Sequence, residues 1–353
     1  MSAHVINAAG KLTALGGSAQ SDGVAAAQRD AAQAHVDLAD YRAEVSARIA
    51  EVCGAQAACI TSGAAAGIAI SIAALVTRGD PGRVRLLPQT EGTHPVLLQA
   101  GHSVNFGAPV EQMIRLGGGR PRLVGDANQA RGRELASALG EGDSTAMLYV
   151  QSHHAVQTNQ ISLDDCVSHC KQHGVPLIVD AAAEDDLGRY IDAGADLVIY
   201  SGGKAFAGPT SGFIVGRADL IEHCEQQGVG IARTMKVGKE AIAGLARALG
   251  EYTADSEEDR LATYAARNEL LLAATSGLSA LRIGEVPDEA GRPFSRIAVH
   301  AQDVHALVSF LVAGDPSIRT RNHHLDAGYL LIDPRELRDE HVDLIIERLS
   351  EYR

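Results

Sequence analysis

Apolar positions recur along this chain with two periods, one typical of helices and one typical of buried strands. Tyr41, Val45 and Ile49 lie four residues apart, which predicts a helix over residues 38–52 after an Ala-rich helix over residues 24–38. Short apolar runs predict strands at residues 57–61, 147–151, 175–180, 196–200 and 211–215. Helices are predicted between several of them, at residues 64–76, at 163–173 and ending near 193. Strands that alternate with helices indicate an α/β fold with a parallel or mixed sheet covered by helices.

Two further regions complete the predicted organisation. Residues 78–125 are rich in Gly and Pro, and we place short strands near residues 85–87 and 122–124. Residues 235–275 predict mainly long helix, and residues 295–353 predict strand, helix, strand and helix in turn. We therefore expect a large catalytic domain with an N-terminal arm over residues 1–240. A linking helix and a small C-terminal α+β domain are expected over residues 241–353.

One lysine lies in an unusual place in this pattern. Residues 197–200 are an apolar run, residues 201–212 form a Gly-rich loop that contains Lys204, and residues 213–215 are apolar again. A lysine between two buried strands can be desolvated, which lowers the pKa of its amine and makes it nucleophilic. The alternative is an ordinary solvated loop lysine.

The predicted strand ends bring further polar groups toward Lys204, because ligands of open α/β sheets bind at the carboxyl ends of the strands. The groups at these ends are Ser62, Gly63, Ala64, Ser152, His153, His154, Asp180, Ser201 and Lys204. A lysine, a buried carboxylate and a helix N-terminus are what pyridoxal 5'-phosphate (PLP) requires. Asp180 could instead be a plain helix N-cap, and residues 62–64 could be only a tight turn.

Composition narrows the class of partner. The chain has 353 residues, is 46% hydrophobic, lacks tryptophan and carries a formal net charge of −13 without a basic run. That charge argues against a nucleic acid partner, which needs a basic surface. The sequence shows no secretory signal, no apolar stretch long enough for a membrane and no disulfide framework among its five cysteines, so we expect a cytoplasmic protein.

Several motifs carry a resemblance to a known family. They are residues 7–16 (NAAGKLTALG), 101–110 (GHSVNFGAPV), 152–154 (SHH), 178–187 (IVDAAAEDDL), 194–205 (GADLVIYSGGKA), 208–212 (GPTSG) and 233–240 (RTMKVGKE). With these motifs the chain resembles fold type I PLP enzymes of the bacterial selenocysteine synthase-like group. The match covers the first two-thirds of the chain well and the C-terminal part loosely.

The resemblance implies a role for particular residues. Lys204 would bind PLP as a Schiff base, Asp180 would pair with the pyridine nitrogen, and His102 would lie against the cofactor ring, although it could be an ordinary loop histidine. The cofactor phosphate would be held by Ser62, Gly63, Ala64 and Ser201. His153 and His154 could both do acid–base work near a leaving hydroxyl, with His154 the favoured one.

Substrate contacts are implied in two places. Arg233, Lys236 and Lys239 match a basic motif that in the family faces an active site, often a neighbouring subunit's, and could clamp a carboxylate or phosphate. They could also be a solvated helix start. The loosely matched residues Arg319, Arg321, His323 and His324 are further candidates, with Arg321 the one selected for substrate binding.

The implied reaction is an ammonia-lyase elimination on an anionic amino sugar acid such as D-glucosaminate 6-phosphate, catalysed by a homo-oligomer. Another PLP reaction stays open, namely aldol cleavage, decarboxylation or a selenocysteine synthase-like transfer, as does a non-catalytic binding protein. Transfer on tRNA is disfavoured because the chain begins almost directly at the catalytic domain. Gly203 also stands where selenocysteine synthase has an aspartate.

Two other patterns are assigned no chemistry. Cys166, His169, Cys170 and His173 have the spacing of a metal cluster, but on a helix the cysteines and the histidines occupy different faces, so we expect no metal site. Residues 117–119 (GGG) lack the strand and helix of a dinucleotide fingerprint and are interpreted as a turn.

Overall fold

The structure, a computed structural model, describes residues 5–152, 155–288 and 292–353. The strands are β1 (Val5–Ala8), β2 (Ala57–Thr61), β3 (Pro95–Gln99), β4 (Arg120–Val124), β5 (Ala146–Val150), β6 (Leu177–Asp180), β7 (Leu197–Ser201), β8 (Gly212–Gly216), β9 (Leu281–Pro287), β10 (Ser295–Ala301), β11 (Ser317–Thr320) and β12 (Tyr329–Ile332). The helices are α1 (Asp22–Gln33), α2 (Leu38–Val52), α3 (Ala64–Thr77), α4 (Pro81–Leu86), α5 (Val110–Leu116), α6 (Gly132–Gly140), α7 (Leu163–His173), α8 (Arg189–Ala193), α9 (Ala218–Gln226), α10 (Lys239–Ala254), α11 (Glu257–Thr275), α12 (Val304–Val312) and α13 (Asp339–Glu351).

The chain forms two compact units. The larger unit is Gln20–Tyr252, and the smaller one combines Met1–Ala19 with Thr253–Arg353. The domain boundary expected near residue 240 lies in the first turn of α10, whereas the units separate at Thr253. The expected N-terminal arm belongs to the smaller unit, because β1 pairs in parallel with β11.

The larger unit is built on a seven-stranded sheet with the order β2-β8-β7-β6-β5-β3-β4. The strands β7, β6, β5, β3 and β4 are parallel to one another, and β8 runs antiparallel between β7 and β2. Aliphatic residues fill both faces of the sheet and pack against helices, which explains why the strands appear in the sequence as unbroken apolar runs. This confirms the predicted α/β class.

The helix α3 lies on one face of this sheet and is almost wholly buried. Gly67 permits its close approach to β7, since a Cβ there would lie 2.6 Å from Cγ2 of Ile199. Helix α3 begins directly after β2, so its packing also fixes where its N-terminus lies relative to the sheet edge.

The smaller unit has its own core around an antiparallel sheet of order β12-β10-β9. A buried ion-pair network joins Arg296 Nε to Asp333 Oδ2 at 2.8 Å, and Arg335 Nη2 to the same oxygen at 2.8 Å. Although burial opposes the charge, these guanidinium groups hold the pKa of Asp333 well below its usual range.

One predicted element is wrong and others were absent from the sequence analysis. Residues 85–87, predicted as a strand, mostly belong to the short helix α4, which starts with Pro81 after Asp80 accepts a hydrogen bond from the Arg83 N–H. Strand β3, helix α5, helix α9, strand β9 and strand β11 were not predicted. In the described residues no helix combines the length and the apolar character needed to cross a membrane.

Candidate functional site

Strand register brings the predicted site residues to one edge of the large sheet. Val150 is aligned with Asp180, Asp180 with Ile199, and Ser201 with Gly212. Gly212 is in turn aligned with Thr61, the last residue of β2. The turns that follow these strands therefore share one edge, as the rule for open α/β sheets predicts.

Lys204 lies in a short closed loop at this edge and is half-buried. The loop is closed by two backbone hydrogen bonds, from Gly202 N–H to Ser211 O at 2.9 Å and from Gly208 N–H to Gly202 O at 2.8 Å. Ala207 has a φ of +51°, which costs energy for a residue with a Cβ and shows that surrounding contacts determine the loop conformation.

Asp180 ends β6 and is buried, with 6% of its surface exposed. Its Oδ1 accepts a hydrogen bond from the Ala182 N–H at 3.2 Å. Burial raises the pKa of this carboxyl to about 6, while the positive charge of Lys204 acts in the opposite direction. Asp180 and Lys204 therefore interact electrostatically in the folded chain.

The N-terminus of α3 faces the same edge. Gly63 is its N-cap residue, and the helix has no side-chain cap. A Cβ on Gly63 would meet nothing within 4 Å, so there is open space in front of the helix. An uncapped helix N-terminus offers backbone N–H groups and a positive dipole end to an anion.

Gly212 is required for this arrangement. A Cβ there would lie 2.7 Å from Tyr200 O and 2.8 Å from the carbonyl carbon of Gly63, both backbone atoms that cannot turn away. We expect Gly212→Ala to lower the free energy of unfolding by about 1–3 kcal/mol, measured by urea titration. The matched control is Gly284→Ala on β9, where a Cβ meets nothing; an equal loss in both variants would contradict this account.

His102 is fully buried in a helical turn (Ala100–His102) after β3. Its Nδ1 accepts a hydrogen bond from the Val150 N–H at 3.2 Å, at a level of β5 where pairing with β3 has ended. The ring packs edge-on against Tyr149 with centroids 4.7 Å apart. Among the described residues, Nε2 has no hydrogen-bond partner.

This geometry limits the chemistry of His102. Burial lowers its pKa to about 4, with a smaller opposing effect from the Gln157 side chain, so the ring is neutral at pH 7. Because Nδ1 accepts, the neutral ring carries its proton on Nε2. His102 is thus suited to donating a hydrogen bond from Nε2 rather than to gaining or losing a proton at pH 7.

Two amide variants distinguish the contributions of the two ring nitrogens of His102 to stability. Asparagine can place an acceptor near the position of Nδ1, whereas glutamine can place an N–H near the position of Nε2. We expect His102→Gln to be less stable than His102→Asn by about 1–3 kcal/mol, because only the former leaves the buried Val150 N–H unpaired. Thermal unfolding measures the difference, and equal stability of the two variants would show that the Val150 bond is unimportant.

The remaining predicted residues are placed as follows. Ser201 ends β7 and is half-buried; Arg233 and Lys236 are exposed; His153 and His154 lie outside the described residues. Lys239 donates to the carbonyl oxygens of Ala32 (3.1 Å) and Ala34, at the C-terminal end of α1. Its ammonium therefore stabilises a helix end, which competes with the expected contact to a substrate.

Arg321 belongs to the smaller unit. It is buried there, and its backbone N–H and C=O pair with those of Leu331 at 2.9 Å each. Helix α7 directs the cysteines and the last histidine of the metal-like cluster to different environments. Cys166 and Cys170 are buried in the core, while His173 is exposed. Within the described ranges, His, Cys, Asp and Glu side chains form no group that could hold a metal ion.

Two residues that support the site, Gln99 and Tyr149, were not identified from the sequence. Gln99 is fully buried at the end of β3, where its amide binds both the N–H (2.7 Å) and the C=O (3.1 Å) of Ile161. Tyr149 supports the His102 ring from β5. A polar residue that ends a strongly apolar strand was the available signal for Gln99, but β3 itself was not predicted.

The residues at this edge fit PLP. The uncapped α3 N-terminus with free space at Gly63 suits a phosphate, Asp180 is a buried carboxylate beside a lysine, and His102 has a buried nitrogen that lacks a partner among the described residues. The fold and this edge define a class of protein, the fold type I enzymes, which use PLP.

Comparison with known proteins then identifies the family. The family model SelA, described as L-seryl-tRNA selenium transferase, matches residues 5–276, so the chain belongs to this family. The chain is 43% identical to D-glucosaminate-6-phosphate ammonia lyase of Salmonella typhimurium, over 98% of this chain and 95% of that protein. It is also 43% identical to 5'-C-glycyluridine monooxygenase-decarboxylase of a Streptomyces species, over 98% of this chain and 89% of that protein.

A solved structure of D-glucosaminate-6-phosphate ammonia-lyase superimposes with a TM-score of 0.91 at 41% identity, covering 99% of this chain and 95% of that chain. An aspartate aminotransferase from Thermus thermophilus has the same fold with a TM-score of 0.55 at 15% identity, covering 99% of this chain and 91% of that chain. The resemblance to the selenocysteine synthase-like group is thereby confirmed.

Proposed function

We propose that this chain is a PLP-dependent ammonia-lyase that acts on an anionic amino sugar acid, with D-glucosaminate 6-phosphate the leading candidate. The observation that carries the proposal is the near full-length similarity to an ammonia-lyase in both sequence and structure. The products would be ammonia and a 2-keto-3-deoxy acid. Water leaves in the elimination and is taken up again when the amine-bearing carbon is hydrolysed, so the atoms balance.

Cofactor binding would use the edge of the large sheet. The N–H groups of Gly63 and Ala64 at the start of α3 would hold the phosphate, helped by the hydroxyls of Ser62 and Ser201. Asp180 would face the pyridine nitrogen, and Lys204 would hold the cofactor covalently. When bound, PLP supplies an electron-accepting ring that stabilises negative charge at the amine-bearing carbon.

Lys204 would then move the proton. Its amine would be released when substrate binds, and it would remove the proton from the amine-bearing carbon. Asp180, held in a buried site, would keep its charge next to the ring nitrogen, where water cannot screen it. His102 would donate its Nε2 proton in a hydrogen bond without changing charge, and any acid at the leaving hydroxyl would come from His154 or His153.

An anionic substrate needs cationic side chains to bind it, and the candidates are few. Arg233 and Lys236 are exposed on the segment before α10, and we propose that they bind the substrate carboxylate or phosphate. Lys239 would contribute only by giving up its contact with the end of α1. The assignment of Arg321 to substrate binding stays a prediction.

The proposal includes a cytoplasmic homo-oligomer. Val229, an apolar side chain that is 86% exposed, lies four residues before Arg233, and burying it against a second copy would be favourable. Light scattering of the purified protein measures the assembly, and a monomer at working concentration would contradict this part.

A second candidate is oxidative decarboxylation of a nucleoside amino acid, since the monooxygenase-decarboxylase relative has the same 43% identity. The decisive comparison is between two incubations in air. D-glucosaminate 6-phosphate should yield ammonia and 2-keto acid without oxygen uptake, and the unphosphorylated acid should react more slowly. Oxygen uptake and carbon dioxide release with 5'-C-glycyluridine, and no reaction with the sugar acid, would favour the second candidate.

A further inference from the structure

We propose that Tyr252 and Tyr200 are positioning residues, which act through two loops to set Lys204 relative to Asp180. This inference rests on the proposed function, because it concerns the geometry of the same site. Neither tyrosine is assigned to contact substrate or cofactor.

The first loop follows Asp180 directly. The Tyr200 hydroxyl donates to the carbonyl oxygen of Asp186 at 2.8 Å and lies 3.3 Å from that of Leu187. The Tyr252 hydroxyl, from α10, donates to the carbonyl oxygen of Asp185 at 3.0 Å. Consecutive carbonyl groups of this loop are therefore fixed from β7 and from α10.

The second loop carries Lys204, and it is held by the same two rings. Phe206, two residues after Lys204, is 3% exposed and packs against Tyr252 with centroids 5.0 Å apart, edge to face. It also contacts Tyr200 and Phe213, at 6.1 and 5.8 Å. Such aromatic pairs stabilise the folded state by more than their buried area alone, so the cluster holds the Lys204 loop in place.

The two tyrosines thus contact both loops. Each has a ring on the Lys204 loop and a hydroxyl on the Asp180 loop. Loss of the Tyr252 hydroxyl would loosen the Asp180 loop while leaving the ring on Phe206 in place.

Tyr252→Phe tests the inference because Tyr252 is half-buried, so the variant should fold. The matched control is Tyr352→Phe in the smaller unit. The Tyr352 hydroxyl donates to the carbonyl oxygen of Asp303 at 3.1 Å, and its ring packs on Phe310 at 5.5 Å. Both variants remove the same kind of bond from a tyrosine paired with a phenylalanine.

The first readout uses the protein without cofactor. In hydrogen exchange followed by mass spectrometry, Tyr252→Phe should raise exchange in peptides covering residues 181–188 and 202–211, and Tyr352→Phe should leave both peptides unchanged. Unchanged exchange in Tyr252→Phe would overturn the inference. This experiment does not depend on PLP, so its failure is distinguishable from failure of the proposed function.

The second readout uses the PLP-loaded enzyme. We expect Tyr252→Phe to lower kcat by about 10-fold with KM nearly unchanged, because misplacement of reacting groups affects the chemical step. When the visible spectrum is titrated with pH, the midpoint should shift in Tyr252→Phe and should remain at the wild-type value in Tyr352→Phe. Equal kcat and an equal midpoint in both variants would overturn the positioning role, whereas a wild-type protein that takes up no PLP would overturn the proposed function.

Discussion

Replacement of Lys204 by alanine is expected to abolish turnover, with kcat reduced by at least about 10⁴-fold. The lysine is the only residue proposed both to hold the cofactor covalently and to move the proton at the reacting carbon. The variant should still fold, since Lys204 is half-buried in a loop whose closure depends on backbone bonds. Ammonia release under saturating substrate measures the effect.

Two controls show what the lysine contributes. Lys204→Arg keeps the positive charge beside Asp180 and cannot form the covalent bond, so it should be nearly as inactive as the alanine variant. Lys171→Ala, at an exposed position of α7, should leave the rate unchanged. Substantial activity in Lys204→Arg would mean that the charge alone is sufficient, which contradicts the covalent role.

Asp180→Asn is expected to have opposite effects on activity and on stability. Loss of a buried charge placed to stabilise the reacting state typically costs about 10²- to 10³-fold in kcat. The folded protein without cofactor should meanwhile gain stability at pH 8. Asp180 has its pKa raised to about 6 by burial, so its ionised form is unfavourable in the folded state.

The pH dependence follows from the direction of that shift. Folded Asp180 binds its proton more tightly than unfolded Asp180, so the contribution of this residue to stability is highest below pH 4, falls as pH rises to about 6, and is lowest above it. The free energy of unfolding of Asp180→Asn should therefore exceed that of wild type by up to roughly 3 kcal/mol at pH 8 and equal it near pH 4. Urea titrations at both pH values measure this. A variant that is less stable than wild type at pH 8 would mean that the attraction to Lys204 outweighs burial.

Much of the larger unit was predictable because its strands are buried on both faces. The apolar runs of β6, β7 and β8 are local features. The rule that strand ends form the site then placed Asp180 and Lys204 at one edge. The register between Ser201, Gly212 and Thr61 is what the structure adds to that rule.

The remaining features depend on contacts between distant residues. Lys239 looked like a substrate clamp because of its cationic neighbours, but its partners on α1 are about 200 residues away in sequence. The pairing of β1 with β11 and the neutral state of His102 likewise follow from tertiary contacts. Strand β3 was hidden because residues 78–125 contain enough Gly and Pro to obscure a strand of only five residues.

The most direct test of the central claim is the stoichiometry of products under anaerobic conditions. The PLP-loaded protein is incubated with D-glucosaminate 6-phosphate without oxygen, and ammonia, 2-keto acid and carbon dioxide are measured together. Our account predicts one ammonia and one 2-keto acid for each substrate consumed, with no carbon dioxide. Carbon dioxide release, or turnover of an amino acid substrate only when oxygen is admitted, would contradict it.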